Sequence, residues 1–273
     1  MLLRMSSIVT TMPAAVRSAG KAALSKVPEV TLAFWIVKIC ATTLGETGGD
    51  ALSMSLNLGY AISTLVFLGF FAATLWAQMS SGRYRPLPYW LVVVATTTVG
   101  TTTSDYLDRT LGLGYVKSSV MLFCAVIAVL LIWRAVSGTI AVDRITTRTN
   151  ELFYWLTILV SNTLGTALGD FTATTTGLGF ERGALVFGAL IALAALARFA
   201  TKIPGAILFW AAYVLTRPLG ATLGDTLTKP HGAGGLNLDR ISSSLAIAVV
   251  MAIIVLTTSQ RRPDPEAFAS ETR

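Results

Sequence analysis

Four aspartates recur at the same position of a repeated sequence pattern. In each copy a Trp is followed ten residues later by a Gly, four residues after that by a small residue, and then directly by an Asp. The four acids are Asp50, Asp105, Asp170 and Asp225. Each ends a long apolar run, and a charged group near the middle of a bilayer costs roughly 3 kcal/mol on insertion scales. The pattern therefore predicts a functional carboxylate on four equivalent helices, although an Asp at a water-exposed helix end would also fit it.

Other polar residues close to these aspartates are suited to binding a cation. Glu46 adds a second acid in the first copy only. Further oxygen ligands are available unless the hydroxyls bond to their own helix; these are Thr43, Thr98 and Asn162. Lys38 and Arg217 bring the opposite charge, and each lies eight residues before an acid, which is too far for pairing within one helix. Their pairing, if structural, would have to cross between helices.

The charge balance of this candidate site favours a metal cation. Five acids against two bases leave a net of three negative charges, and divalent cations prefer carboxylate oxygens. The candidate metal ligands are Glu46, Asp50, Asp105, Asp170 and Asp225. No cofactor other than such an ion is expected. An enzyme is not expected either, because the chain has one His and neither a Ser-His-Asp set nor a phosphate-binding loop.

The composition is that of a membrane protein with several spans. Hydrophobic residues make up 53% of the 273 residues and charged residues only 13%, and the apolar runs approach the roughly 20 residues that cross a bilayer. A soluble protein is excluded on this ground. The net charge of +7 is interpreted as membrane topology and not as a nucleic-acid surface.

The apolar runs predict an all-α fold with eight membrane spans. Each odd span ends with the motif, so the unit is a hairpin of two spans repeated four times, and all four units cross in the same direction. The predicted spans are about 30–55, 58–79, 87–109, 115–137, 150–173, 182–200, 203–227 and 240–259. The repeats cover about 29–80, 84–137, 149–200 and 203–259 of a transmembrane domain at 29–259, between a basic tail at 1–28 and a polar tail at 260–273.

The distribution of Lys and Arg predicts the orientation. The tails and the connections between units hold 14 of these residues, and the connections inside units hold 5. By the positive-inside rule both termini are cytoplasmic and the aspartates lie toward the outer side. The Trp of each motif is expected at the membrane boundary as an interfacial anchor; these residues are Trp35, Trp90, Trp155 and Trp210.

Small residues four positions apart predict close packing of the odd helices. Small side chains let helix backbones approach, and packing then replaces the hydrophobic force that is missing in lipid. The residues are Gly45 and Gly49, Gly100 and Ser104, Gly165 and Gly169, and Gly220 and Gly224. Each Asp follows about 100° around the helix, so the four carboxylates would converge if the odd helices pack together.

Four tandem two-span repeats, each with a Trp and a core similar to Leu-Gly-x-x-x-Gly-Asp, resemble a family of bacterial membrane proteins. That family is defined by a repeat of unknown function (the DUF347-type repeat), and its members are called uncharacterised membrane-anchored proteins. The resemblance covers about residues 28–258. It implies a multi-pass protein of the bacterial cytoplasmic membrane and no particular activity.

Three functions remain open at this stage. The first is a transporter for a cation, with a divalent metal as substrate and carboxylate protonation as a source of coupling. The second is a cation channel with an acidic ring at its mouth. The third is a membrane scaffold in which the motif only packs helices. The expected partners are the lipid bilayer, an inorganic cation and protons, with no nucleic acid; assembly into a homo-oligomer stays open.

Overall fold

The chain folds as a bundle of α-helices. The computed structural model describes residues 27–81, 84–142, 145 and 147–259, and within these ranges it contains eight long α-helices and no β-strand. The all-α prediction is therefore confirmed. The helices are α1 (Leu32–Asp50), α2 (Gly59–Ser80), α3 (Pro86–Asp105), α4 (Gly114–Ser137), α5 (Arg148–Asp170), α6 (Gly179–Ala200), α7 (Gly205–Thr228) and α8 (Arg240–Ser259). The predicted tails at 1–28 and 260–273 lie, except for residues 27 and 28, outside the described residues.

The motif aspartate marks a change of helix geometry in the first three units. A five-residue π-helical segment follows it and leads into a tight turn; the segments are Ala51–Ser55, Tyr106–Thr110 and Phe171–Thr175. The turns place Asn57, Gly112 and Gly177 in the left-handed region, with φ of 56°, 69° and 74°. Gly adopts this conformation without strain and Asn tolerates it better than most residues. The fourth unit has no such segment, since α7 continues to Thr228 and a Gly-rich loop follows.

The four motif helices form a closed inner ring. Helix α1 packs on α3, α3 on α5, α5 on α7, and α7 again on α1. A β-carbon on Gly45 would lie 3.0 Å from the Thr97 carbonyl carbon, and one on Gly49 would lie 3.0 Å from the Thr101 side chain. From Gly45 to Gly49 the contact moves four residues along α1, and from Thr97 to Thr101 it moves four residues along α3. The two helices therefore run in the same direction. The other three pairs repeat the arrangement, with Gly100 against Asn162 as one example.

The remaining helices form an outer layer that is displaced by one unit. Helix α2 packs on α3, α4 on α5, α6 on α7, and α8 on α1. The two helices of each predicted hairpin are therefore consecutive in the chain without being packed on each other. The two helices of a unit contact each other little, and the outer helix covers the inner helix of the following unit. The last outer helix returns to the first unit, which closes the outer layer as well.

The outer helices have the surface expected in lipid. Only 11 to 22% of their most apolar windows is buried inside the protein, compared with 67% for α5 and 50% for α7. Six of the described helices are long and apolar enough to cross a membrane; they are α2, α4, α5 with its π-helical segment, α6, α7 and α8. Helices α1 and α3 belong to the same inner ring but are not among these six, and most of their polar side chains are buried.

Aromatic residues fill the end of the inner ring that is distant from the aspartates. Trp90, Trp155 and Trp210 are buried there, and their rings contact Tyr or other aromatic rings edge to face or at a tilt. The expectation of interfacial anchors is wrong for these three, while Trp35 is half-buried. A pocket of about 390 Å³ opens at this same end, beside Phe34.

Candidate functional site

Polar side chains line the interior of the inner ring. The position directly after the first Gly of each motif faces inward and reads Glu46, Thr101, Thr166 and Ala221. All four residues are buried. The motif aspartates follow four residues later, about one helical turn further along, and each is at most 3% exposed. The ring therefore carries a layer with one acid and then a layer with four acids.

Arg217 reaches across the ring at the first of these layers. Its guanidinium Nη2 lies 3.0 Å from Glu46 Oε2 and donates to the hydroxyls of Thr101 and Thr166, the latter at 2.7 Å. One side chain of the fourth unit thus contacts the same position in the other three units. It is completely buried, and a buried charge of this kind is tolerated only when it is paired and hydrogen-bonded. The ion pair with Glu46 joins two different helices.

Lys38 lies nearer the aromatic end and is not paired with an acid. Its ammonium donates to Asn162 Oδ1 over 3.4 Å and sits 4.3 Å from the centre of the Tyr213 ring. The Asn162 amide in turn donates to Thr96 at 2.9 Å. Among the described residues no carboxylate lies within ion-pair distance of Lys38. The side chain of Asn162 therefore accepts a hydrogen bond from Lys38 and is not bonded to any of the acids.

Asp105 and Asp170 share the guanidinium of Arg109. Asp105 Oδ1 is 3.3 Å from Nε, and Asp170 Oδ2 is 3.1 Å from Nη2. The same guanidinium donates to the hydroxyls of Tyr60 at 2.8 Å and Tyr115 at 3.2 Å. Four partners therefore hold it, and two of them are neutral.

Asp50 and Asp225 share the ammonium of Lys229 in the same way. Lys229 Nζ is 2.8 Å from Asp50 Oδ2 and 3.1 Å from Asp225 Oδ1. Arg240 approaches Asp50 at 3.6 Å. Burial by itself lowers the pKa of Lys229, but Asp225 and Asp50 outweigh it and raise that pKa well above its usual range. This ammonium therefore stays charged wherever the carboxylates are ionised.

The basic residues of both pairs were not predicted as part of the site. Arg109, Lys229 and Arg240 are among the five basic residues counted in the connections inside units, whereas the structure places all three beside the aspartates. Four basic groups therefore lie beside the five acids, namely Arg109, Arg217, Lys229 and Arg240. Counted with Lys38, which has no acid beside it, they cancel the predicted excess of three negative charges. A usable signal was present, because Arg109 and Lys229 each follow a motif aspartate by four residues, the spacing of a helical ion pair.

Three of the five predicted metal ligands come together. Glu46, Asp50 and Asp225 can each offer one oxygen, and these atoms lie within 4.8 Å of one another. Asp50 is 1% exposed, and its Oδ1 has no hydrogen-bond partner among the described residues. Asp105 and Asp170 lie outside this cluster and form the separate pair with Arg109. The predicted single site of five carboxylates is thus divided into two groups.

The predicted threonine ligands are engaged elsewhere. Thr43 donates to the carbonyl of Ile39, and Thr98 donates to the carbonyls of Val94 and Ala95. These are bonds within a helix, the alternative that sequence analysis had left open for hydroxyls. The single proton of each hydroxyl is therefore donated within its own helix and not to a carboxylate.

Comparison with known proteins identifies the repeated unit. The sequence model described as Repeat of Unknown Function (DUF347) matches the chain four times, at residues 33–84, 88–139, 153–203 and 208–262. The chain belongs to this family. No curated protein and no solved structure matches it. Each DUF347 match contains one inner and one outer helix, so the repeat is the unit of the ring.

The four DUF347 repeats carry a charge pattern that repeats only twice. Repeats two and four have a basic residue four positions after the aspartate, and repeats one and three have Met54 and Thr174 there. Arg109 joins the aspartates of repeats two and three, and Lys229 joins those of repeats four and one. The inner helices are thus arranged with approximate fourfold symmetry, while the basic residues beside the aspartates repeat only twice. Glu46 lies close to the pair held by Lys229 and so distinguishes it from the pair held by Arg109.

Proposed function

We propose that this protein is an integral membrane carrier of a small cation, with a divalent metal ion as the substrate class. The ion site is formed by Glu46, Asp50 and Asp225. The observation that carries this proposal is that three buried carboxylates from two inner helices lie within 4.8 Å of one another. Hard divalent ions bind such oxygens. Acids inside a membrane protein are energetically costly, so their presence is typical of a functional site.

The proposed carrier crosses the membrane with all eight helices. Helices α1 and α3 are not among the six helices recognised as spans by length and hydropathy, but they run in the same ring as α5 and α7. Eight spans place both termini on one side. The distribution of Lys and Arg, 14 against 5, favours the cytoplasm of a bacterial cell for that side. The carboxylates then lie toward the outer face.

A carrier is favoured over an open channel because Arg217 occupies the interior of the ring. Its guanidinium contacts residues from each of the other three inner helices, and a fixed positive charge there opposes the passage of cations. Transport would require the helices or the arginine to rearrange. Protonation of a carboxylate during that step is the proposed source of coupling.

Transport by the purified full-length chain in proteoliposomes tests the function. Uptake would be measured for a panel of divalent and monovalent ions, with Asp50→Asn and Asp225→Asn as site variants and Asp239→Asn as the control. Asp239 is exposed before α8 and accepts a bond from the Ser242 N–H, a capping role that Asn also performs.

We expect each site variant to lower uptake of the transported ion about tenfold or more, with the control unchanged. If the site variants and the wild type transport every ion equally, the carboxylates have no role in transport. If the wild type moves no ion in the panel, the scaffold interpretation is preferred. A current that rises steeply with voltage and needs no proton gradient would identify a channel.

A further inference from the structure

We infer that Lys229 is a built-in competitor for the ion site, so that its ammonium and the substrate cation occupy the oxygens of Asp50 and Asp225 in turn and never together. This inference rests on the proposed function, because it concerns the same carboxylates. It also assigns different roles to the two aspartate pairs. The pair at repeats four and one exchanges ions, and the pair at repeats two and three is held permanently by Arg109.

The ammonium of Lys229 lies where a bound cation would have to lie. Lys229 Nζ lies 2.8 Å from Asp50 and 3.1 Å from Asp225. A divalent ion binds carboxylate oxygens at roughly 2.0 to 2.6 Å, so it would need the same space and would be repelled by the positive charge. One oxygen of Asp50 and one of Asp225 have no hydrogen-bond partner among the described residues, and the same is true of both oxygens of Asp105. Unused capacity for a ligand is therefore present at this site with Lys229 in place, but it does not by itself distinguish the two aspartate pairs.

Lys229 and Arg109 differ in the number and kind of bonds that hold them. Arg109 is a planar fork that engages two carboxylates and two tyrosine hydroxyls, and such a group loses several bonds if it leaves. The ammonium of Lys229 is bonded only to carboxylates among the described residues. It is a point charge on a flexible stem. Its side chain is 13% exposed and that of Arg109 is 30% exposed, so the number and kind of bonds, and not the exposure, distinguish the two groups. Lys229 can therefore swing to water while Arg109 stays.

The loop after α7 holds the backbone of Lys229 in place while the side chain moves. The N–H groups of Leu236 and Leu238 donate to the last carbonyls of α7, at 2.7 Å and 2.9 Å. Gly235 packs directly on the Lys229 carbonyl group, where a β-carbon would lie 2.6 Å from its carbon atom. The Gly-rich sequence of this loop thus has a structural reason. It fixes the point from which the lysine side chain reaches the site.

Equilibrium binding of Mn²⁺ to the purified full-length protein tests the competition independently of transport. Free Mn²⁺ would be measured by electron paramagnetic resonance for the wild type, Lys229→Gln and the matched variant Arg109→Gln. We expect Lys229→Gln to bind Mn²⁺ at least about tenfold more tightly, because a contacting positive charge is removed. Arg109→Gln removes a positive charge that does not contact Asp50 or Asp225, so it should tighten Mn²⁺ binding at this site clearly less than Lys229→Gln does. Unchanged affinity in Lys229→Gln, or equal tightening in both variants, would overturn the inference.

Double variants locate the effect and separate it from the transport proposal. The tighter binding of Lys229→Gln should be lost when Asp50→Asn is added and kept when Asp170→Asn is added. If these results hold but the wild type transports no ion, the competitor stands and the carrier fails. If the wild type transports an ion and Lys229→Gln binds no more tightly, the carrier stands and the competitor fails.

A charge-conserving variant covers the case in which Lys229→Gln does not fold. Lys229→Arg keeps the positive charge and adds donors that hold it to the carboxylates. We expect Mn²⁺ to raise its melting temperature less than that of the wild type. An equal or larger rise would contradict the competition, since the arginine should exclude the ion more effectively.

Discussion

The two basic residues inside the ring differ in how they are compensated, and this decides what their removal does. Arg217 is paired with Glu46 and bonded to two threonines. Lys38 has an amide oxygen at 3.4 Å and the face of Tyr213. Removing one partner of a buried ion pair leaves an uncompensated charge, whereas removing an unpaired buried charge relieves a cost.

Arg217→Met should destabilise the protein by about 3 kcal/mol or more, because it leaves Glu46 buried without its partner. The measurement is reversible unfolding in mixed detergent micelles. The double variant Arg217→Met/Glu46→Gln should recover most of the loss, since neither charge then remains. A double variant no more stable than Arg217→Met would show that the ion pair is not the reason.

Lys38→Met should leave the stability unchanged or raise it by about 1 kcal/mol, because the ammonium has no carboxylate partner among the described residues. The same unfolding assay applies, and Met keeps the length of the side chain. A loss comparable to that of Arg217→Met would mean that Lys38 is compensated in a way its contacts do not reveal.

At this scale the sequence predicts the acids better than their partners. The repeated motif points to all four aspartates and to Glu46. It does not say which acids meet, because Arg109 and Lys229 divide them into pairs across the repeat boundaries. A contact between residues 179 positions apart, as between Lys229 and Asp50, depends on ring closure and leaves no local mark in the sequence.

The inner helices depend on glycine where their backbones approach, whereas Gly69 of the outer helix α2 has no such contact. A β-carbon on Gly45 would meet the Thr97 side chain and lie 3.0 Å from its carbonyl carbon, whereas one on Gly69 of α2 would meet nothing within 4 Å. Backbone atoms cannot move aside as a flexible side chain does. The inner pair must therefore separate if the residue at 45 is enlarged.

Gly45→Val should cost about 3 kcal/mol or more in stability, because overpacking forces α1 away from α3. Gly69→Val is the matched control and should change stability by less than about 0.5 kcal/mol. Size-exclusion chromatography and thermal unfolding of both variants provide the comparison. Equal behaviour of the two would contradict the close approach of the inner helices.

The positions of the helices follow from the sequence, but their partners do not. All eight predicted segments are helical, with ends within a few residues of the observed ones. Apolar length and turn residues are local properties, so they are visible in one sequence. Which inner helix an outer helix covers is not local. In the structure each outer helix packs on the inner helix of the following unit, and no local sequence feature specifies that partner.

The whole molecule consists of two halves that interlock. Helix α4 of the first half covers α5 of the second, and α8 of the second half covers α1 of the first. The inner ring crosses the same boundary between α3 and α5 and between α7 and α1. The Trp residues of the second and third repeats are 65 residues apart, compared with 55 between the other neighbouring repeats.

Two separate polypeptides, residues 1–144 and 145–273, should assemble when they are produced together, because each supplies helices that the other lacks. An affinity tag on one half should recover the other in equal amount. Gly100→Val lies at the boundary, where a β-carbon would be 2.9 Å from the Asn162 carbonyl carbon, and should abolish recovery. Recovery that survives this change would place the halves in a different arrangement.

The displaced outer layer has a consequence for the origin of the ring. The inner helix of each unit is covered by the outer helix of the preceding unit, and its own outer helix covers the inner helix of the next unit. Four identical copies related by rotation would therefore form a closed ring. A single unit could thus form a homotetramer and a double unit a homodimer. In such an assembly every substitution appears two or four times, and several arginines would collide where Arg217 now lies alone. Fusion into one chain is what permits a single arginine to face a single glutamate inside a fourfold frame.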